Sequence, residues 1–265
     1  MKSHFPFEFV YQVFALILAI IIVHALYVTV IRPKAEAILA EQAVRMNTDP
    51  NYVPERSLYI VIRDYEQETE IILMLWAMAI MGYRAAEALR ERALLKEELI
   101  PLSEGESILP EAAHEYARPL QALPDTARNL LLPRALLTAL DRFRSTRNIQ
   151  DASTAVRTVC EAESERMDAE LSTLRYIAWA IPAIGFIGTV RGIGDAMSQA
   201  HRAVEGDIAG VTESLGVAFN STLIALLLSM VLMFLLHQLQ LLQERLVLDT
   251  QNYCDQRLMR HLRTL

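Results

Sequence analysis

The sequence predicts an all-α integral membrane protein with four transmembrane helices and a helical cytoplasmic domain. Three observations lead there. Apolar runs recur at 9–31, 71–83, 176–197 and 215–237; apolar residues make up 53% of 265 positions; and Lys and Arg gather in two of the segments outside those runs.

Run 9–31 has about the length that a bilayer core requires, so it reads as the first transmembrane helix. It is too long for the apolar region of a signal peptide, and no small-residue cleavage site precedes Arg32-Pro33. His24 is its only group that titrates near neutral pH; it reads as bonding a neighbour or reaching the interface, with a proton relay as the alternative. Residues 32–70 form a polar connector with Pro33, Pro50 and Pro54, turn chemistry over 47–51 and room for a short helix over 35–46. Run 71–83, between Glu70 and Arg84, is short for a span. Ala85, Ala86 and snorkelling ends extend it, and only a spanning helix gives a consistent topology.

Residues 84–175 hold thirteen of the 25 Lys and Arg side chains, and Arg245, Arg257, Arg260 and Arg263 follow His237. Both segments are therefore placed in the cytoplasm, and the connector between the last two spans, with His201 and Arg202, outside. The cytoplasmic segment opens with an amphipathic helix over 87–98, and Pro101, Pro110, Pro119, Pro124 and Pro133 then break it into short helices. From Asp151, read as an N-cap, one helix is predicted to run into the membrane at Tyr176. Glu161, Glu163, Glu165, Asp168 and Glu170 wrap around it and read as a solvated face. The last helix is predicted to continue past the membrane over 237–265, with Leu239, Leu242, Leu246 and Tyr253 at helical spacing.

The two final spans each carry a stripe of small and hydroxylated residues. At 100° per residue, Pro182, Gly185, Thr189, Gly192 and Ala196 share one face, as do Ala218, Thr222, Ala225 and Ser229 on the next helix. Lipid gives no reason to prefer small residues, so each stripe implies close helix contact or the lining of a narrow passage. Thr189 and Thr222 lie well inside their apolar runs, where a hydroxyl either bonds its own backbone or serves a polar path. Arg191 and Asp195, four residues apart and turned away from Thr189, read as an ion pair. The net charge of −7 with no basic block argues against nucleic acid as a partner, and no catalytic, metal-ligand or phosphate-loop spacing argues for an enzyme, a metal or a cofactor. Cys160 and Cys254, far apart in cytoplasmic helices, predict no disulfide.

The stretch LRYIAWAIPAIGFIGTVRGI, residues 174–193, followed by GVAFNSTLIA, residues 216–225, resembles the proton-channel family of MotA, TolQ and ExbB. The residues that carry the resemblance are Pro182, Gly185, Gly188, Thr189, Val190, Gly192 and Ile193, with Thr222 on the second helix. Arg191 stands where the ExbB and TolQ branch has a bulky aromatic residue. The resemblance implies a homo-pentameric ring in a bacterial inner membrane, around single-span partners similar to MotB, ExbD or TolR that supply an Asp. It casts Thr189, Thr222 and Ser229 as ion-pathway residues and Pro182, Gly185, Gly188, Gly192, Ala218 and Ala225 as pore packing. The expected organisation is 1–84 as peripheral helices, 85–173 as a cytoplasmic domain, 174–240 as the pore hairpin and 241–265 as a cytoplasmic tail. The expected function is coupling of ion flow to mechanical work; the alternative is a four-span structural scaffold.

Overall fold

The computed structural model describes residues 7–49, 52–53, 55–100 and 106–264. Among them the chain is all-helical, without a strand, and four helices are long and apolar enough to cross a membrane. It divides into two compact units, residues 1–81 with 173–236 and residues 82–172 with 237–265. Pro50, Asn51, Pro54 and Pro101, each given a turn or helix-breaking role above, lie outside the described residues.

In the first unit, α1 (Phe7–Leu26) passes through a π-helical turn at Tyr27–Ile31 into α2 (Arg32–Thr48). The sequence reading stopped the helix at Arg32-Pro33, and the structure corrects this. Pro33 falls at the start of the new α-helical segment, where its missing N–H is not needed, and the wider π turn lets the backbone pass it. Ala19, Val23, Tyr27, Ile31 and Ala35, four apart, are buried as one stripe, and Val23, Tyr27 and Ile31 pack with Ile62, Ile71 and Ile72. Phe14, Ile17 and Ile21 face outward, as lipid-exposed residues should.

After the short α3 (Leu58–Val61), α4 (Tyr65–Leu94) starts almost two turns before the apolar run that announced it. Its opening residues are polar, yet Gln67, Glu68 and Glu70 are all buried. Glu68 takes up two partners: His24 Nδ1 lies 2.7 Å from Oε1, and the Arg32 guanidinium donates to Oε2. Deeper in the bundle, Tyr11 donates to the Ala79 carbonyl (3.2 Å) and Trp76 Nε1 to that of Gln12 (2.9 Å), so both polar tips are satisfied within helix contacts.

The second unit contains α5 (Ala113–Gln121), α6 (Asp125–Arg128), α7 (Leu131–Thr146) and α8 (Ile149–Glu170). On α7, Leu132, Ala135, Leu136, Ala139, Leu140 and Phe143 recur at three- and four-residue steps and are buried. Arg147, in the left-handed region at φ 53°, ends α7, and Asn148 caps α8 by accepting from the Gln150 N–H (2.9 Å). Asn148 therefore replaces Asp151 as the cap. A turn at Leu171 separates α8 from α9 (Ser172–Ser198), so the predicted unbroken helix is two.

The last helices are α10 (Ala200–Val204) and α11 (Ala209–Tyr253), after which a π-helical turn at Cys254–Leu258 and a 3-10 turn at Met259–His261 end the chain's helical part. Leu246, Val247, Cys254, Leu258 and Leu262 join the core made by α5, α7 and α8, and Ile108 exchanges backbone hydrogen bonds with His261 (2.8 Å) and Arg263 (3.0 Å). The tail is thus part of the helical domain's core, because its apolar spacing needs a partner face. Cys160 and Cys254 are both free and buried.

Glu163 corrects the solvated-face reading of α8. It is 2% exposed and accepts from Arg166 Nε (3.1 Å) and from the Arg134 guanidinium on α7. Replacing it by Ala removes three charge-assisted hydrogen bonds from two arginines and leaves a small void, so unfolding of the full chain in detergent should show a loss of about 2–3 kcal/mol. Glu161→Ala and Glu165→Ala, on exposed positions, should stay within about 0.5 kcal/mol.

Candidate ion-pathway site

The site is built where α9 and α11 cross at close range in the first unit. Three glycines of α9 make the approach possible. A Cβ added to Gly192 would lie 2.7 Å from the Ser214 carbonyl oxygen and 2.8 Å from both N and Cβ of Ala218. One added to Gly188 would lie 2.5 Å from Cβ and Oγ of Ser221, and one added to Gly185 would collide with Ala225 Cβ and stand 3.1 Å from the Ser221 carbonyl oxygen. Gly194 and Gly216 have nothing within 4 Å of such a Cβ, so glycine content alone does not mark the contact.

The facing stripe on α11 is Ser214, Ala218, Ser221 and Ala225, at the four- and three-residue steps of one helix face. Sequence reasoning found Ala218 and Ala225 but missed Ser214 and Ser221, whose spacing with the alanines was the available signal. The small residues are taken up by this contact within one chain. Pro182, inside α9, is half-buried, while Phe186, Ile187 and Val190 are exposed on the helix surface.

Thr189 and Thr222 come together at this crossing. Thr189 Oγ1 is 3.0 Å from the Ala218 carbonyl and 3.2 Å from that of Gly185, Thr222 Oγ1 is 3.1 Å from the Gly185 carbonyl, and the two hydroxyls touch one another. Two hydroxyl protons cannot serve all four contacts at once, so the pair can switch donor and acceptor roles by rotation about the C–O bonds. Lone pairs remain to accept from a protonated acid, and a rotated hydroxyl can donate to an ionised one. Both side chains are half-buried. Ser229, the third predicted hydroxyl, sits near the other end of the hairpin and donates across to the Ala178 carbonyl (3.1 Å), away from the threonine pair.

Arg191 does not pair with Asp195. Its Nε and Nη2 each lie 2.8 Å from a different oxygen of Glu66 on α4, a two-pronged contact that a guanidinium and a carboxylate form better than an i, i+4 pair on one helix surface. Glu66 went unnoticed in the sequence because the apolar run seemed to begin after it. Beside it, the Gln67 amide donates to the Val61 carbonyl (3.2 Å) and to Ser221 Oγ (3.4 Å), tying α4 to α11. Glu66 has little exposed side chain (11%) whereas Arg191 keeps 43%. Arg191→Ala therefore strands a buried carboxylate and should cost about 3 kcal/mol, while Glu66→Gln leaves an arginine that can reach water and should cost about 1 kcal/mol. Thermal unfolding of the two variants side by side checks the order.

Among the described residues no group of three or more His, Cys, Asp and Glu side chains has the arrangement of a metal site. Neither a curated protein nor a solved structure gives a significant match to the chain. A family model does match, over residues 127–252, and its description is the MotA/TolQ/ExbB proton channel family. The matched stretch contains α9, the whole crossing with α11, and both threonines. This segment, a little under half of the chain, is what makes the chain similar to the MotA/TolQ/ExbB proton channel family.

Proposed function

We propose that the chain is the channel subunit of an ion-driven complex in a bacterial inner membrane, a homo-pentameric ring that works with a single-span partner of the MotB, ExbD or TolR kind. The observation that carries this reading is the paired Thr189 and Thr222 hydroxyls, which meet inside the family segment at a crossing with no acid among its small residues. The partner's Asp supplies the charge that the ion neutralises. The hydroxyls stabilise the ionised Asp by donating to it and the protonated Asp by accepting from it, so the cost of passing between the two forms falls. Downhill flow yields about 2.3 kcal/mol per charge per 100 mV, which turns or rocks one component against the other.

A second reading is a four-span scaffold without conduction, favoured by the donation of Thr222, Thr189 and Ser229 to backbone carbonyls of the facing helix. Co-expression with a candidate single-span protein bearing an Asp separates the two. Co-purification as a ring, with ion flux that disappears when that Asp becomes Asn, is the result expected of a channel; a complex that never conducts is that of a scaffold.

A further inference from the structure

Glu70 stands out among the buried acids of the first unit. It is 0% exposed, and both of its carboxylate oxygens are buried without a hydrogen-bond partner. It lies on α4 one turn beyond Glu66, at the mouth of the apolar run, and its neighbours have already engaged the nearby basic side chains. Arg191 of α9 is held by Glu66, and Arg32 of α2 and His24 of α1 by Glu68. Asp64, before α4, is approached by Arg63 (3.7 Å). On α11 the groups facing this end of α4 are Ser221, which is uncharged, and Glu213, which holds Arg63 at 2.8 Å. Three more polar atoms of these neighbours are buried and unpartnered, the Tyr27 hydroxyl, Asp64 Oδ2 and Gln67 Oε1, and Tyr27 lies within electrostatic reach of Glu68, Glu70, Asp64 and Arg32.

An ionised carboxylate left in such a place, without a cation or a donor, costs several kcal/mol even after the surroundings relax. A neutral acid avoids that cost. We propose that Glu70 is a protonation site of this chain itself, holding its proton while α1, α4 and α11 are packed together and releasing it when water or an ion reaches it. The chain then owns an acid besides any that a partner brings. This inference does not rest on the channel reading, because a scaffold with the same packing would protonate Glu70 as well.

A lipid-soluble carbodiimide tests it on the full chain in its membrane. The O–H proton of a protonated acid moves to a carbodiimide nitrogen while the carboxylate oxygen bonds the central carbon, and the O-acylisourea so formed rearranges to a stable N-acylurea with no atom lost. An ionised carboxylate lacks that proton and does not react. Peptide mass spectrometry should place the adduct on Glu70 in preference to Glu66 and Glu68, its yield should fall about tenfold per pH unit above the titration point, and Glu70→Gln should abolish it. The infrared C=O band of a protonated acid at neutral pH, present in the wild type and missing from Glu70→Gln, gives a readout that does not depend on reagent access. An unmodified Glu70, an adduct indifferent to pH, or an infrared band unchanged in Glu70→Gln would each overturn the proposal.

Discussion

Gly192→Leu should abolish recovery of folded protein, and Gly188→Leu should do nearly the same. The reason lies in what each glycine touches. At Gly192 a Cβ alone would meet the Ser214 carbonyl oxygen and the Ala218 backbone nitrogen, at 2.7 and 2.8 Å. Backbone atoms of a helix cannot step aside as a flexible side chain can, so α9 and α11 must separate along their length. Overpacking of an interior ordinarily costs about 1–3 kcal/mol, and here the separation also removes the Thr189 to Ala218 bond and the contacts of Gly185 and Gly188. The effect is on closure of the hairpin within one chain. Gly192→Ala should already be harmful, whereas Gly194→Ala, with open space around the new methyl, should be near wild type. Size-exclusion yield of monodisperse protein is the measurement. Normal yield of Gly192→Leu would show that the two helices do not meet as described.

Much of this was legible in the sequence, and what was not has physical causes. Strong, long apolar runs announced α1, α9 and α11, because lipid demands both length and uniform hydrophobicity. The stripe containing Gly185, Thr189 and Gly192 was readable from helical spacing alone. Hidden were the features in which tertiary contact overrides local pattern. Pro33 looked like a stop because a proline's usual effect is to break a helix, and a π turn removed the conflict. Glu66, Gln67, Glu68 and Glu70 looked like solvent because acids and amides usually are, yet the first three pair with α9, α11 and α1, and Glu70 is buried. Arg191 was given the wrong carboxylate since spacing reveals neighbours on its own helix and none on another. The same limit hid Glu163, whose partner Arg134 is a helix away.

The other large effect expected is on transport. Thr189→Val with Thr222→Val keeps the shape of both side chains and removes only the two hydroxyls. The carbonyls of Gly185 and Ala218 that lose these donors belong to helices, where they can accept from the backbone, so stability should change by no more than about 1 kcal/mol and the complex should assemble. Conduction is another matter. A hydrogen bond to a charged group contributes about 1.5–3 kcal/mol, so a carboxylate that loses it at the narrow section should pass ions roughly ten- to a hundredfold more slowly. Ser198→Ala, which removes only a bond to the nearby Asp195 carbonyl, serves as the control. The decisive measurement is ion flux per assembled complex in vesicles containing this chain and a candidate single-span protein bearing an Asp. The account predicts wild-type flux for Ser198→Ala and at least about a tenfold loss for the double threonine variant at matched abundance; undiminished flux from the double variant would contradict it.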